Sequence, residues 1–243
     1  MKKPARSVVA PTWERVAEFE SIGVTAFTTT RAYGDMSLAD APKLKANTAR
    51  WERLRKAIEP AAPGLASALQ VHGSKIAEYT DPWTGWTRGD GVDAHLLQVH
   101  ATAAAVTVAD CVPVFIAHPS GDVGIVHAGW RGTAARFVER VIARFVAFGA
   151  ASADLHVHLG PAICGRCYEV GPDVYQQLTG WETARHRHVD LRALLSEQSK
   201  AAGVRWVTAS AYCTRCDNDR FYSHRAGDAG RQISVILSPG QLG

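Results

Sequence analysis

The 243-residue chain lacks any long run of apolar residues, which excludes a membrane-spanning helix from the pattern. Near the basic N-terminus only residues 8–10 are apolar before Pro11, too few for the core of a signal peptide. Lys and Arg total 27 but are scattered, and a net charge of +4 is low for a nucleic-acid-binding domain. We therefore expect a cytoplasmic protein without nucleic-acid or membrane partners.

No Gly/Ser/Pro-rich linker, composition break or internal repeat divides the sequence, so we predict one domain over residues 1–243. Strand-like runs alternate with helical segments, and some neighbouring runs read as hairpins. This mixture predicts an α+β layered fold rather than a doubly wound sheet. The predicted strands cover residues 24–30, 68–71, 103–108, 114–117, 123–126, 155–159, 204–210 and 232–237.

Three amphipathic helices are predicted from their capping signals. They begin after the polar N-cap residues Asn47, Thr133 and Asp190, and Pro60 ends the first of them. The apolar residues that follow recur at helical spacing, so each helix has one face for the core. These faces carry Trp51, Leu54 and Ile58 in the first helix, Phe137, Val138, Val141, Ile142 and Phe145 in the second, and Leu191, Leu194 and Leu195 in the third.

Three metal-binding side chains, His72, Cys111 and His127, each lie where a predicted strand meets a turn of small residues. Two imidazoles and one thiolate suit zinc. A three-ligand site leaves the fourth zinc position open to water, which is typical of catalytic rather than structural zinc. In a cytoplasmic protein we expect the five cysteines to be reduced, so thiols are available as ligands.

The hairpin between the fourth and fifth predicted strands decides whether Cys111 and His127 can meet. A register that pairs His118 with Val123 separates them by three positions, roughly 10 Å of extended chain. Pro113 cannot donate a hydrogen bond to a ladder, so we expect regular pairing to begin after it and Cys111 to fold inward toward His127. Nothing in the local sequence pattern brings His72, the third candidate ligand, close to Cys111 and His127.

Cys164, Cys167, Cys213 and Cys216 form two Cys-x-x-Cys pairs, a pattern that can build a structural zinc site with four thiolates. A long globular stretch separates the two pairs, so free thiols are our default interpretation and a second, structural zinc is the alternative. Redox activity is not expected, because neither pair begins a βαβ unit.

Two His-x-His pairs, His156/His158 and His186/His188, resemble the histidine pairs of multicopper oxidases. A laccase centre needs several more such pairs and a cysteine flanked by histidines, and the sequence has neither. We therefore interpret these histidines as ordinary core or surface residues and do not expect a multicopper polyphenol oxidase.

Over nearly its whole length the chain resembles the bacterial laccase-domain family, also named polyphenol oxidases and regarded as zinc-dependent purine nucleoside phosphorylases. It departs from the family pattern over residues 31–37 and in the compressed run that follows. The ordered combination of matching segments is specific, although no single segment is. They are residues 70–73 (QVHG), 92–94 (VDA), 109–114 (ADCVPV), 127–132 (HAGWRG), 159–163 (LGPAI), 168–171 (YEVG), 213–214 (CT), 221–225 (FYSHR) and 230–231 (GR).

The resemblance implies that His72, Cys111 and His127 hold one catalytic zinc ion. It implies phosphorolysis of adenosine, inosine or methylthioadenosine, with adenosine deamination as a second activity. Purine nucleoside and phosphate are the expected partners, and we expect a monomer or a weak homo-oligomer. The implied fold is an α-β-β-α sandwich of mixed sheets, similar to that of toxin deamidases.

Candidate residues for this chemistry surround the three ligands. Arg131 precedes the helix predicted at Thr133, where free N–H groups and the positive helix end favour an anion, so a phosphate pocket is expected there. The alternative is that Arg131 ties the loop to a carboxylate, and Arg225 is a second phosphate candidate. The candidate proton carriers, or acceptors that orient the histidines, are Asp110, Asp93 and Glu169. Trp130 and Tyr168 are candidates for stacking on a purine or for core packing.

Three other functions remain as hypotheses at this stage. Cys111 as nucleophile and His127 as base would make a cysteine hydrolase or amidase, as in the toxin deamidases. An enzyme that edits peptidoglycan precursors is a further possibility attached to the family. A zinc-stabilised interaction module built on the two cysteine pairs is the non-enzyme hypothesis.

Overall fold

The computed structural model describes residues 12–38 and 41–240. The signal-peptide expectation and both ends of the predicted domain fall on residues outside these ranges, so a single domain over residues 1–243 stays a prediction. In chain order, the strands are β1 (Trp13–Arg15), β2 (Thr25–Thr29), β3 (Gly64–Leu69), β4 (Ile76–Tyr79), β5 (Gly85–Asp90), β6 (Ala94–Leu97), β7 (Thr102–Val108), β8 (Val112–Ala117), β9 (Val123–Ala128), β10 (His156–Leu159), β11 (Glu169–Val170), β12 (Arg187–His188), β13 (Trp206–Ala209) and β14 (Gln232–Leu237).

Helices alternate with these strands along the chain. They are α1 (Leu44–Ile58), α2 (Trp130–Ala134), α3 (Phe137–Ala147), α4 (Pro172–Thr179) and α5 (Leu191–Ala201). No helix in the described part of the chain is long and apolar enough to cross a membrane.

Two six-stranded mixed sheets form the framework. The first has the strand order β1-β2-β14-β7-β3-β5, and the second has the order β13-β10-β8-β9-β6-β4. In the first sheet β3 runs parallel to both β5 and β7. In the second, the hairpin β8–β9 lies at the centre and is buried on both faces.

Four layers result from the way these sheets and helices bury their apolar faces. Phe115 and Ile125 of the second sheet pack with Val106 and Ile236 of the first, which makes the core between the sheets. The outer face of the first sheet is covered by α1 through residues that include Trp51, and the outer face of the second is covered by α3 and α5. The predicted α-β-β-α sandwich is therefore confirmed.

The central hairpin has a different register from the one predicted. Ala117, not His118, pairs with Val123, and Pro113 lies within the ladder opposite His127. A proline fits in a ladder at a position where no N–H donor is needed. The ladder therefore includes Pro113 and starts one residue before it, at Val112. The expectation that regular pairing begins after Pro113 is wrong, and the one-residue shift changes which side chains share a face.

Two of the three predicted helix starts are also wrong. Helix α1 begins at Leu44, and Asn47 lies buried within it, where its side-chain amide donates to the Ser37 carbonyl. Thr133 lies within the short helix α2 and donates its hydroxyl to the carbonyl of Gly129. In both cases the side chain finds a nearby carbonyl instead of the N–H groups of a new helix.

Asp190 caps α5 as predicted, since its carboxylate accepts the backbone N–H groups of Arg192 and Ala193. The predicted inner face of α1 is confirmed, and so is that of α3. Strands β1, β4, β5, β6, β11 and β12 and helix α4 were not predicted from the sequence. All of these strands except β5 have four residues or fewer, and they lack a clear alternation of polar and apolar residues, which is the signal that such a prediction requires.

Candidate metal centre

His72, Cys111 and His127 come together at one end of the sandwich. His72 follows β3 of the first sheet, Cys111 immediately precedes β8, and His127 belongs to β9 of the second sheet. Their ligand-type atoms all lie within 4.8 Å of one another, and this set is called the three-ligand cluster below. The cluster lines a cavity of about 940 Å³.

The register of the central hairpin explains why Cys111 and His127 meet. With Val112 opposite Ala128, the next position places Cys111 opposite Gly129, two residues from His127. Residues two apart on one strand share a face, so the two side chains are diagonal neighbours on the side that faces the first sheet. No inward folding of Cys111 is needed.

One buried carboxylate, that of Asp93, holds both the side chain of His127 and the turn that carries His72. Asp93 is fully buried, and its Oδ1 lies 2.8 Å from Nδ1 of His127. The same carboxylate accepts the backbone N–H groups of Val71, His72 and Gly73 at 3.2, 3.0 and 2.8 Å. His72 has a positive φ of 57°, an uncommon conformation that these bonds hold in place.

Gly129 gives the cluster its space. A Cβ at this position would lie 3.0 Å from Sγ of Cys111 and 3.3 Å from Cδ2 of His72. The φ of Gly129 is −83°, which any residue can adopt, so the glycine is required by the close approach and not by its backbone conformation. The imidazole rings of His72 and His127 meet edge to face, with centroids 4.7 Å apart.

The charges within the cluster fit a bound cation. Burial opposes ionisation of Cys111, but the adjacent His127 lowers the pKa of the thiol to about 6. Burial likewise opposes protonation of His127, but Cys111 and Asp93 raise its pKa to about 9. Burial alone would raise the pKa of Asp93, yet the bonds from His127 and Gly73 lower it. A thiolate and an imidazole whose Nδ1–H is held by a carboxylate are arranged as in protein metal sites.

Cationic side chains line the cavity above the cluster. Arg88, Arg131, Arg225 and Arg231 all contribute to its wall. Arg131 stacks on the ring of Trp130, with its guanidinium carbon 4.4 Å from the ring centroid. Within residues 12–38 and 41–240 it forms no salt bridge, so the alternative that it ties the loop to a carboxylate is not supported.

The predicted helix end beside the phosphate pocket differs from expectation. The turn after Gly129 opens only the five-residue helix α2, and the long helix α3 begins at Phe137 after a break at Arg136, which has a positive φ of 52°. A helix this short has only a weak dipole. Any anion site here therefore depends on the arginine side chains and not on the end of a long helix.

Asp110 organises the loop that carries Arg225. One carboxylate oxygen accepts the hydroxyls of Thr214 and Ser223 at 2.6 and 2.7 Å, and the other accepts the backbone N–H of Arg225 at 2.7 Å. Asp110 has a positive φ of 87° and borders the cavity. It directly precedes Cys111, so one dipeptide links the cluster to the loop that carries Arg225.

Glu169 is a predicted site residue whose side chain is not part of the cavity lining. Its side chain is exposed and does not line the cavity, while its backbone carbonyl accepts a bond of 2.9 Å from Nη1 of Arg225. Tyr168 and Trp130 do line the cavity, and both also pack against the core. Burial, followed by the negative charge of Cys111, raises the pKa of Tyr168 to about 12.

Two clusters of at least three metal-binding side chains occur in the described part of the chain. The second is formed by Cys164, Cys167, Cys213 and Cys216, whose sulfur atoms also lie within 4.8 Å of one another; it is called the four-cysteine cluster below. Neither cluster contains a residue of the two His-x-His pairs. The interpretation of those histidines as core or surface residues agrees with this placement.

Fold and site together define a class: α-β-β-α proteins in which a two-histidine, one-cysteine cluster opens onto a basic cavity. The chain belongs to the family described as multi-copper polyphenol oxidoreductase laccase, whose sequence profile matches residues 28–239. The resemblance noted from the sequence is thus confirmed.

Individual relatives carry enzyme names. The chain is 36% identical over 208 residues to a purine nucleoside phosphorylase of Deinococcus radiodurans, covering 79% of this chain and 77% of the relative. It is 29% identical over 232 residues to adenosine deaminase RL5 of an unknown prokaryotic organism, covering 84% and 88%. The crystal structure of YlmD from Geobacillus stearothermophilus superposes with a TM-score of 0.81 at 27% identity, covering 98% of both chains. These relationships support an enzyme of the kind the names describe.

Proposed function

We propose that this protein is a zinc-dependent purine nucleoside phosphorylase that cleaves adenosine, inosine or methylthioadenosine with phosphate. Adenosine deamination is a second activity of the same site. The observation that carries the proposal is the three-ligand cluster at the base of a large cavity lined by arginines. The names of the relatives point to the same chemistry. A cytoplasmic location and a monomeric or weakly oligomeric state remain predictions.

The chemistry of the donor set supports zinc as the metal. His72 and His127 offer imidazole nitrogens and Cys111 a thiolate, a borderline-soft set that leaves one position for water or substrate. A bound zinc ion supplies Lewis-acid chemistry and lowers the pKa of a coordinated water. Because ionised Asp93 can only accept, Nδ1 of His127 is the donor in their bond, so Nε2 is the nitrogen available to a metal. With a pKa of about 9 in the metal-free protein, His127 would release its Nε2 proton when the metal binds.

Arg131 and Arg225 are the proposed phosphate ligands. Phosphorolysis breaks the bond between purine nitrogen and ribose C1′ and forms a bond between C1′ and a phosphate oxygen, so both groups must lie side by side. Arg131 is exposed to the cavity without a carboxylate partner in the described structure, and a guanidinium binds phosphate with two parallel hydrogen bonds. Asp110 fixes the backbone of Arg225 and is a positioning residue.

The departing purine takes up a proton on the nitrogen that was bonded to C1′, and the phosphate O–H that forms the new bond to C1′ loses one. Tyr168 is half-buried in the cavity wall, and burial, followed by the charge of Cys111, raises the pKa of its phenol to about 12. Because a phenol is already neutral at pH 7 and the raised pKa makes it a weaker acid, Tyr168 can orient the base by a hydrogen bond but is not the source of the proton. The role of Glu169 as a proton carrier stays a prediction. Its side chain does not line the cavity.

The test is chromatography of products formed from adenosine with and without phosphate. Ribose-1-phosphate and adenine, formed only with phosphate, are the expected products, and some inosine is expected in either case. Inosine alone would overturn phosphorolysis as the main reaction. The variant Cys111→Ala should lose turnover together with one equivalent of zinc, and full turnover in that variant would contradict the assignment of the site.

A cysteine hydrolase is the second candidate, because Cys111, His127 and Asp93 lie in the order of a nucleophile, a base and the acid that orients the base. His72 distinguishes the two functions, since a hydrolase triad does not require it. An amidase activity that survives zinc removal and His72→Ala but is lost on alkylation of Cys111 would favour the hydrolase. Activity that requires zinc and His72 favours the phosphorylase.

A further inference from the structure

The four-cysteine cluster is assembled from two segments that are 49 residues apart. The first pair follows β10 and the second follows β13, and these strands are parallel neighbours at the edge of the second sheet. A parallel bridge between Ala162 and Cys213 continues the pairing beyond the strands. Two Cys-x-x-Cys turns thus emerge side by side from the same end of one sheet.

The distances between the sulfur atoms fit one metal ion. All four sulfur atoms lie within 4.8 Å of one another, and Sγ of Cys167 is 3.4 Å from Sγ of Cys216. A tetrahedral ion with metal–sulfur bonds of about 2.3 Å separates its thiolates by about 3.8 Å. Four thiols packed at this spacing without a metal would crowd their lone pairs and weak donors around one point.

Backbone N–H groups point at the sulfur atoms, as in metal-binding turns. The N–H of Cys164 lies 3.2 Å and that of Cys216 lies 3.4 Å from Sγ of Cys213. N–H groups aimed at sulfur stabilise thiolates, and thiolates are the form that binds metal.

The sequence also supplies the charge balance. A divalent ion with four thiolates carries a net charge of −2, and each Cys-x-x-Cys pair contains one arginine, Arg166 or Arg215, next to its second cysteine. Both arginines are exposed, and Nη1 of Arg215 donates to the carbonyl of Cys167 across the two turns at 3.3 Å. The two positive charges match the two excess negative charges.

We propose that the four-cysteine cluster binds a single zinc ion in a tetrahedral, purely structural site that is separate from the three-ligand cluster. Coordination by four thiolates leaves no open position on the metal for substrate, so the bound ion stabilises the fold and takes no part in catalysis. Binding displaces one proton from each thiol that is protonated in the free protein, with no change in oxidation state.

This zinc fastens two loops that line the cavity. Tyr168 follows the first pair directly, and its N–H donates to the Cys164 carbonyl at 3.0 Å. Thr214, within the second pair, donates its N–H to Ala162 and its hydroxyl to Asp110, which holds the backbone of Arg225. Removing the ion therefore frees both loops at once.

The first experiment counts zinc per chain in protein purified without added metal. We expect two equivalents in the wild type, one in Cys111→Ala and one in the double variant Cys167→Ser/Cys216→Ser. X-ray absorption of the Cys111→Ala protein should show four sulfur neighbours at about 2.3 Å and no nitrogen. This measurement leaves all four cysteines intact, so it does not depend on the folding of the double variant.

Three outcomes would overturn the proposal. They are zinc content that the double serine variant leaves unchanged, four freely titrating thiols in native Cys111→Ala protein, and a Cys167–Cys216 disulfide in freshly purified protein. Iron in place of zinc would overturn the metal assignment. None of these depends on the enzymatic reaction, so they are distinct from failure of the proposed function.

Hydrogen exchange tests the fastening role. In the double serine variant, the amides of Tyr168 and Thr214 should exchange at least roughly tenfold faster than in the wild type, while amides of β8 and β9 keep their protection. In Cys111→Ala, Tyr168 and Thr214 should remain protected. Equal protection in the wild type and the double variant would show that the ion does not hold these loops.

Discussion

The carboxylate of Asp93 holds the imidazole of His127 by a bond of 2.8 Å and at the same time accepts three N–H groups of the turn that carries His72. One buried acid thus joins the end of β9 to the loop after β3, which belong to different sheets. Because the positions of both histidines depend on this acid, its substitution is the most direct test of how the cluster is built.

We predict that Asp93→Asn weakens zinc binding at the three-ligand cluster about 10- to 100-fold, the usual effect of losing an acceptor behind a metal-bound histidine. An amide has only one accepting oxygen, so either His127 or the His72 turn loses its partner. Competition with a chromophoric chelator measures the affinity. Asp122→Asn, in the β8–β9 turn, is the matched control and should not change it, and equal affinities for all three proteins would contradict the role of Asp93.

Gly129→Ala is predicted to block the cluster without disturbing the fold. The new Cβ would lie 3.0 Å from Sγ of Cys111, which a real Cβ rarely reaches, so the sulfur or the His72 loop must move. Displacements near 1 Å at a reacting centre cost about 100-fold in rate. We expect turnover to fall at least tenfold, with zinc content reduced and the thermal midpoint nearly unchanged.

The control for this change is Gly240→Ala, because no atom lies within 4 Å of a Cβ built there. It should leave turnover and zinc content as in the wild type. Wild-type turnover in Gly129→Ala would show that the space beside Cys111 is not used.

The layered α+β architecture and the three residues of the cluster could be predicted from the sequence, His72 only through the family resemblance, but the geometry of the cluster could not. A one-residue error in the register of β8 and β9 exchanges the two faces of a strand. With Val112 opposite Ala128, Cys111 and His127 share a face, whereas the predicted register separates them. The turn of hydrogen-bonding residues between the strands permits both registers, and only packing of the alternating side chains decides between them.

The position of His72 depends on contacts that are distant in sequence. Asp93 lies 20 residues beyond Gly73, at the start of a strand that the apolar pattern did not reveal. Two predicted helix starts were wrong for a different reason. Asn47 and Thr133 lie inside helices and donate hydrogen bonds to backbone carbonyls, instead of accepting from the N–H groups at the start of a helix. Local propensity cannot distinguish these two uses of the same side chain.

Arg131→Ala is predicted to raise the KM for phosphate at least tenfold and to leave adenosine deamination within about twofold, because only phosphorolysis needs the anion. Arg131→Lys should recover part of the loss, since lysine keeps the charge but not the two parallel hydrogen bonds. Initial rates at varied phosphate concentration measure the effect. Arg205→Ala removes an exposed arginine elsewhere and should behave as the wild type, and an equal loss of both activities in Arg131→Ala would argue against phosphate binding.

His95 is predicted to make the fold sensitive to acid. It is fully buried, Nδ1 lies 3.1 Å from the Tyr79 hydroxyl, and Nε2 has no hydrogen-bond partner in the described structure. Burial lowers its pKa to about 4, against the opposing effect of Asp93. Between about pH 6.5 and 4 the unfolded chain binds a proton that the folded chain does not. The contribution of neutral His95 to the free energy of unfolding is therefore fully present above about pH 6.5, and it is lost as the pH falls through this window.

The expected size of this effect is about 2 kcal/mol of unfolding free energy between pH 7 and pH 5, from about 1.4 kcal/mol for each pKa unit. Urea unfolding at both pH values measures it, and His95→Gln should remove this part of the pH dependence while keeping a partner for Tyr79. His186→Gln, an exposed site, should keep the wild-type dependence. The difference in pH dependence between the wild type and His95→Gln isolates the proton that His95 binds on unfolding. If the unfolding free energy of His95→Gln depends on pH as strongly as that of the wild type, protonation of another group causes the acid sensitivity.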